Sequence, residues 1–205
     1  MRPKFKKGYY PDLLTWKEFV RLINIRPLMT CERVIIPRFR EQHQWDSSIW
    51  SLEKNSIPPL LLKRIIQNNI LYLVDMSRCS RKVNDLAKRI EDEFNASADA
   101  HIYTCLDTSL IHPYGIHYDE NPNIIVQCEG ETNFKVWDII KDMDGASSNL
   151  HITDSPLLDV DMKPGDSILI PRYYPHLATS NTVRMSVSFP FIPNAERQPR
   201  EWIEL

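Results

Sequence analysis

The sequence predicts a mostly β protein with a helix-rich N-terminal part, and three observations lead there. Up to about residue 98, apolar residues recur at helical spacing behind N-cap residues. After about residue 99, short β-like runs alternate with turn residues. The longest apolar runs are about five residues, far below the roughly 20 needed to cross a bilayer, so a soluble chain with no membrane partner is expected. With 205 residues, 42% of them hydrophobic and 25% charged, the chain can bury one core, or a core with a dependent subdomain, and is too apolar to stay disordered.

In chain order, MRPKFKKGYY is basic but is followed by no apolar stretch of signal-peptide length, and reads as a solvated tail. Thr15-Trp16-Lys17-Glu18 is a capping box, and Phe19, Leu22 and Ile23 then recur at helical spacing, which predicts a helix from about 15 to 25. Ser56-Ile57-Pro58 supplies an N-cap and an early proline before a helix over Leu60 to Ile66. Ile70 to Val74 reads as a buried strand. Ser80 then starts a helix over 81–95, whose Val83, Leu86, Ile90 and Phe94 form one apolar stripe. The β-like runs fall at 101–106, 115–119, 123–128, 132–139, 157–161, 167–170 and 183–189, separated by turn material such as Lys163-Pro164-Gly165-Asp166. That pattern is a sandwich or a barrel. From Pro193 onward the tail should lie on the surface.

Composition narrows the function classes. The five glycines, at 8, 115, 130, 145 and 165, make no dinucleotide fingerprint, P-loop or nucleophile elbow. The 25 Lys and Arg nearly cancel the 27 Asp and Glu, leaving a formal charge of -2 and a pI near 6.3, so nucleic acid is not an expected partner. Cys31, Cys79, Cys105 and Cys128 form no CxxC pair and no disulfide framework. They read as buried thiols in a reducing, cytoplasmic compartment.

The chemistry sits in Tyr114-Gly115-Ile116-His117-Tyr118-Asp119-Glu120. In a strand, residues i and i+2 share a face, so His117 and Asp119 present an imidazole and a carboxylate side by side, about 6–7 Å apart at Cα. His176, at the entrance to the last strands, supplies a third ligand. Two histidines and one carboxylate on one face of a metal leave its other positions open, the facial triad of non-haem Fe(II) oxygenases. Taken alone, a His-x-Asp pair is a weak metal signal and is more often a hydrogen-bonded pair on a β face.

The surrounding order of motifs says more. His117-Tyr118-Asp119, then Asn123 to Gly130, Phe134-Lys135-Val136-Trp137, Pro164-Gly165-Asp166, Pro175-His176 and Ser186-Val187-Ser188-Phe189 together resemble the cupin-like JmjC 2-oxoglutarate oxygenases. The likeness is nearest to the ribosomal oxygenases and the asparaginyl hydroxylase acting on hypoxia-inducible factor, and covers roughly residues 57 to 191. It implies a double-stranded β-helix (a jelly-roll, cupin-like fold) over 99–192 as catalytic core, with a helix-rich region 1–98 packed on the barrel and a tail over 193–205. It also implies that His117, Asp119 and His176 hold Fe(II), with 2-oxoglutarate as cosubstrate and O2 as oxidant, and that the cosubstrate is decarboxylated to succinate and CO2. No side chain beyond the metal ligands is then expected to be catalytic, because metal and cosubstrate carry the hard chemistry.

One position departs from the pattern. Relatives place Lys or Arg two residues after the glycine matching Gly130, to pair with the distal carboxylate of 2-oxoglutarate; this chain has Thr132. Either another residue supplies the charge or the pocket takes something else. Lys135 lies three residues along the same strand, so it points to the opposite face if Thr132 points inward. Arg184 shares a strand face with Ser186, which matches a cosubstrate-facing position, and is the better candidate. Asn123 matches a cosubstrate contact in the asparaginyl hydroxylase, and Tyr103 and His101 share a face on the first barrel strand. The expected cosubstrate residues are thus Tyr103, Asn123, Thr132, Arg184 and Ser186. His112, His43 and His151 read as loop or surface histidines, and Trp16, Trp45, Trp50, Trp137 and Trp202 as core or edge anchors.

These readings predict a 2-oxoglutarate-dependent dioxygenase that hydroxylates a protein side chain, a peptide or a small molecule. The alternative is a non-catalytic cupin-like metal-binding or sensor module, for which Thr132 argues. A metal-dependent isomerase or cosubstrate-free oxygenase would carry more histidine ligands than this chain provides.

Overall fold

A computed structural model of the chain describes residues 1–23, 34–35, 63, 67, 70–74, 76–78, 80–106, 115–140 and 147–197. The elements are β1 (Lys4–Lys6), α1 (Trp16–Leu22), β2 (Val34–Ile35), β3 (Leu71–Leu73), α2 (Arg81–Phe94), β4 (Ala96–Ala98), β5 (His101–Cys105), β6 (Asn123–Glu129), β7 (Thr132–Val136), β8 (Leu158–Met162), β9 (Ser167–Ile170), β10 (His176–Thr179) and β11 (Arg184–Pro193). An eight-stranded sheet runs β1-β9-β6-β11-β5-β3-β2, with β4 also pairing β11, and a three-stranded sheet runs β10-β7-β8. All the pairings are antiparallel. Two antiparallel sheets face one another, with helices on the outer side of the larger one, as expected of a jelly roll.

Strand alternation builds two cores from these layers. On β11, Met185, Val187, Phe189 and Phe191 point to the helix side, where they meet Phe19 and Leu22 of α1, and Val83, Leu86 and Ile90 of α2. Ile125 of β6 and Ile168 and Ile170 of β9 point the other way, meeting Phe134 and Val136 of β7 and Ala178 of β10 between the sheets. The long strand β11 pairs both β5 and β6, so it is the spine of the larger sheet.

Most helix signals match what forms. Thr15 caps α1 with both arms of the capping box, Glu18 N–H to the Thr15 hydroxyl and Thr15 N–H to the Glu18 carboxylate. Ser80 stands at the N-cap of α2 with an extended backbone, yet its side chain makes no cap bond. At the other end Asn95 adopts a left-handed φ of 45° and returns its N–H to the Glu91 carbonyl, as an asparagine at this position commonly does.

Four expectations need correction. The N-terminal residues are not a solvated tail: β1 pairs antiparallel with β9, and the Lys-Phe-Lys alternation turns Phe5 onto the inter-sheet core between two outward lysines. The tether continues through Gly8 N–H to the Asp166 carboxylate (2.8 Å) and Tyr10 N–H to the Gly165 carbonyl (2.9 Å). An exposed β9 edge offers unpaired N–H and C=O groups, which is why this short basic segment docks there. Residues 115–119 form no continuous strand but two isolated bridges, His117 to His176 and Tyr118 to Ser147, after Gly115 at φ +56°. The strands β4 and β10 arise where no β run stood out, and Cys128 is half-buried rather than buried, while Cys105 is buried.

The helix expected over Leu60 to Ile66, apart from the helical Lys63, lies outside the described residues, as do Cys31, Cys79, His43, His112, Tyr114, Trp45, Trp50 and Trp202. No helix among the described residues is long and apolar enough to cross a membrane.

Candidate active site

A cavity of about 660 Å³ opens between the two sheets, beside the smaller core. At one side, backbone bonds bring the two histidine segments together: His117 N–H donates to the His176 carbonyl (3.1 Å) and His176 N–H to the His117 carbonyl (2.7 Å). Tyr173 N–H, from a residue at φ +65°, donates to the Asp119 carbonyl (2.9 Å). The loop before β10 is thereby held to the His-x-Asp segment along both residues. The ligand atoms of His117, Asp119 and His176 all lie within 4.8 Å of one another, and the two rings stand 4.2 Å apart at their centroids.

The ring nitrogens are already sorted. His117 Nδ1 lies 3.1 Å from the Gly115 carbonyl, and His176 Nδ1 lies 3.0 Å from the Tyr174 carbonyl. A carbonyl only accepts, so each Nδ1 carries the proton and each Nε2 keeps its lone pair, the arrangement that orients imidazole for a metal. His176 is buried, and that burial, with His117 beside it, pushes its pKa down to about 4, so the ring is neutral and available as a ligand near pH 7. The Asp119 carboxylate, 3.7 Å from His176 Nε2, is 43% exposed and completes the set from the open side. Two imidazoles and one carboxylate on one side suit a divalent transition metal such as Fe(II).

The rest of the wall comes from strand parity. Arg184, Ser186 and Ser188 alternate along β11 on the cavity face, and Thr132 and Phe134 do so on β7. Lys135 points outward to Asp159 at 3.5 Å, 42% exposed. Tyr103, Asn123, Thr132, Arg184 and Ser186 therefore line one cavity with His117, Asp119 and His176. His101 stays behind the wall, bonded to the Tyr72 hydroxyl through Nδ1 (2.5 Å) and facing Asp99 through Nε2 (3.3 Å). His151 is exposed, and Trp137 is a buried anchor whose Nε1 donates to the Asp154 carbonyl (2.8 Å).

Two groups on the wall are electrostatically incomplete. Thr132 is 2% exposed and its hydroxyl has no partner, and Arg184 is 6% exposed with no carboxylate paired to it among the described residues. Burial pushes the arginine's pKa below its ordinary value, as expected of a cation taken out of water without an acid beside it.

Sequence reasoning missed Tyr72, which stacks on Tyr103 at 4.4 Å, and Ser188, whose hydroxyl donates to Asn123 Oδ1 (2.8 Å) and so leaves the Asn123 amide N–H groups to face elsewhere. Parity could have found both. Leu71 and Leu73 face the helices, which turns Tyr72 the other way, and Ser188 lies two residues beyond Ser186.

Known proteins share this fold. The structure superimposes on the Escherichia coli ribosomal oxygenase YcfD with a TM-score of 0.62 at 15% identity, covering 94% of this chain and 50% of that one. The same protein in complex with cobalt and 2-oxoglutarate matches with a TM-score of 0.60 at 17% identity, over 94% and 48%. By sequence, a protein of Drosophila persimilis named bifunctional lysine-specific demethylase and histidyl-hydroxylase NO66 is 24% identical over 126 residues, 60% of this chain and 18% of its own length. Its counterpart in Drosophila pseudoobscura pseudoobscura is 23% identical over the same 60% of this chain and 13% of its own length. The chain thus spans less than a fifth of those relatives and about half of the solved structures. The profile of the JmjC domain matches residues 77–198, more than half of the chain and every cavity-lining position named above except Tyr72, and the chain belongs to the JmjC domain family.

Proposed function

We propose that the chain is an Fe(II)- and 2-oxoglutarate-dependent oxygenase that hydroxylates its substrate, with His117, Asp119 and His176 as the metal ligands. The observation that carries this is the convergence of those three ligand atoms within 4.8 Å, both imidazoles protonated toward backbone carbonyls. When bound, Fe(II) with 2-oxoglutarate and O2 supplies the oxidising power, as the cosubstrate is decarboxylated to succinate and CO2. The chain's own residues bind, orient and exclude water. Tyr174 and Gly115 carbonyls fix the imidazoles, the tyrosine stack of Tyr72 and Tyr103 closes one wall, and Asn123 is aligned by Ser188.

The substrate reading favoured is a protein side chain. A cavity of about 660 Å³ has room for a small cosubstrate and one side chain beyond it. The Drosophila relatives are named for action on lysine and histidine, and YcfD for action on the ribosome. A peptide or small molecule is the other class consistent with the cavity.

The test is succinate release from 2-oxoglutarate by the purified chain with Fe(II) and O2. Succinate formed with Fe(II), and abolished by Asp119→Ala, supports the reading. A protein that binds Mn(II) in the triad yet neither binds nor turns over 2-oxoglutarate would instead be the non-catalytic metal-binding module.

A further inference from the structure

We infer that Arg184, reaching from the larger sheet, is the cation that anchors the far carboxylate of a 2-oxo diacid in this cavity, with the Thr132 hydroxyl as its hydrogen-bonding partner. The inference rests on the oxygenase reading and specifies how the chain selects its cosubstrate.

The placement follows from two clasped turns. Gly130, between β6 and β7, is at φ +68° with its Cα packed so closely on the Val183 carbonyl that a Cβ there would lie 1.7 Å from that oxygen. Glu131 N–H donates to the Thr182 hydroxyl (2.7 Å), and the Ser180 hydroxyl donates to the Glu131 carbonyl. Thr132 and Arg184, each the first residue of its strand after these turns, are held to the same end of the cavity. The metal ligands sit at the other end. His176 pairs with Val136, four residues along β7 from Thr132, a run of roughly 13 Å at strand rise.

The cavity is therefore bipolar. Asp119 is the carboxylate on its wall among the described residues, and it belongs to the metal end, 3.7 Å from His176. Arg184 and the partnerless Thr132 hydroxyl belong to the closed end, where a buried guanidinium without a counter-charge is costly. A ligand with an oxo-acid at one end and a carboxylate at the other satisfies both ends at once. A 2-oxo monoacid satisfies only the metal. Lys135 cannot substitute, because its side chain is on the outer face with Asp159.

The experiment uses the Mn(II)-loaded protein under anaerobic conditions and measures affinity for 2-oxoglutarate and for 2-oxopentanoate, the five-carbon oxo-acid lacking the second carboxylate. Arg184→Met should weaken 2-oxoglutarate binding about 30-fold or more, since removing one partner of a buried charge pair costs that order. It should leave 2-oxopentanoate and Mn(II) affinities within about threefold. Thr132→Lys placed on Arg184→Met should recover binding of the diacid, because position 132 faces the same end, and Lys135→Met should change nothing. Should Arg184→Met not fold, Arg184→Lys keeps the charge without the fork and should weaken the diacid alone. Equal loss of both oxo-acids, or unchanged diacid binding in the Arg184 variant, would overturn the inference. If the parent binds Mn(II) and 2-oxopentanoate but gains nothing from the second carboxylate, the anchor fails while the oxygenase reading stands. If the parent binds Mn(II) but neither oxo-acid, the oxygenase reading itself fails.

Discussion

Gly130→Ala isolates what the clasp between the two turns is worth. Alanine at φ +68° accepts a left-handed backbone, costing roughly 1–2 kcal/mol, partly offset by about 0.4–1 kcal/mol from a less flexible unfolded chain. The new Cβ would then lie 1.7 Å from the Val183 carbonyl oxygen and 2.8 Å from its carbon, and both atoms are backbone. No side chain can swing aside, so one turn must retreat by more than an ångström to reach even the 3.0 Å that Cβ atoms tolerate. That retreat stretches the bonds from Glu131 N–H to Thr182 and from Ser180 and Thr182 to the Glu131 carbonyl. At about 0.5–1.5 kcal/mol each, their loss brings the expected total to about 3–5 kcal/mol. For a chain of this size, each kcal/mol moves Tm by about 2–4 °C, so thermal denaturation should shift down by roughly 6–20 °C. Gly8→Ala is the matched control: its φ is +61° and nothing lies within 4 Å of its Cβ, so only the backbone cost, about 1 kcal/mol, remains. If the two variants melt within about 2 °C of each other, the close approach is not a constraint and the argument that it fixes Thr132 and Arg184 at one end is refuted.

Three further outcomes are expected. Asp119→Ala should weaken Mn(II) binding at least tenfold in calorimetric titration while leaving metal-free Tm nearly unchanged, because its side chain is 43% exposed; His151→Ala, at an exposed residue outside the cluster, should leave both unchanged. Thr15→Ala should cost about 1 kcal/mol near neutral pH by removing the cap of α1. Burial pushes the Glu18 carboxyl up, but bonds from Thr15 and Lys82 outweigh it and hold its pKa below 4.5; that stabilisation is present above 4.5 and lost as pH falls through the lower folded value, so the Tm gap between parent and Thr15→Ala should narrow in acid. Phe5→Ala should lower stability by about 1–3 kcal/mol in urea titration, since a half-buried ring on the inter-sheet core is lost, whereas Lys4→Ala should be silent.

How much of this was legible in the sequence depends on whether the signal was local. The capping box at Thr15, the apolar stripe of α2 and the period-two runs of β5, β6, β7, β9 and β11 are local patterns, and each forms where the residues point. Lys4–Lys6 is different: three residues of alternation carry no strand signal by themselves, and they become a strand because β9 offers an edge and Asp166 a carboxylate for Gly8 N–H. His176–Thr179 likewise becomes β10 through pairing with β7, which no property of its own four residues announces. The same division runs through the site. Period two correctly separates Arg184, Ser186 and Ser188 from Met185, Val187 and Phe189, and Lys135 from Thr132.

What parity cannot supply is the third dimension of the cavity. That Thr132 and Arg184 share an end depends on Gly130 meeting Val183 across more than fifty residues of chain, and that His117 meets His176 depends on two backbone bonds between segments nearly sixty residues apart. The clue to the first lay in the composition: a chain with so few glycines keeps one at 130, where the backbone is left-handed and a second backbone lies against it. Replacing a lysine or arginine by threonine at 132 removes a charge that a cosubstrate carboxylate would need, and the fold places the buried Arg184 at the end of the cavity where that charge is absent. On the inference above, the anchoring cation is carried on β11 instead of β7 and enters from the opposite sheet, so the two sheets would have to stay in register for one diacid to meet both ends. With Arg184 as the inferred anchor, cosubstrate selection would depend on the turn clasp, and a backbone change at Gly130, touching no ligand, should be felt first at the end of the cavity that holds Thr132 and Arg184.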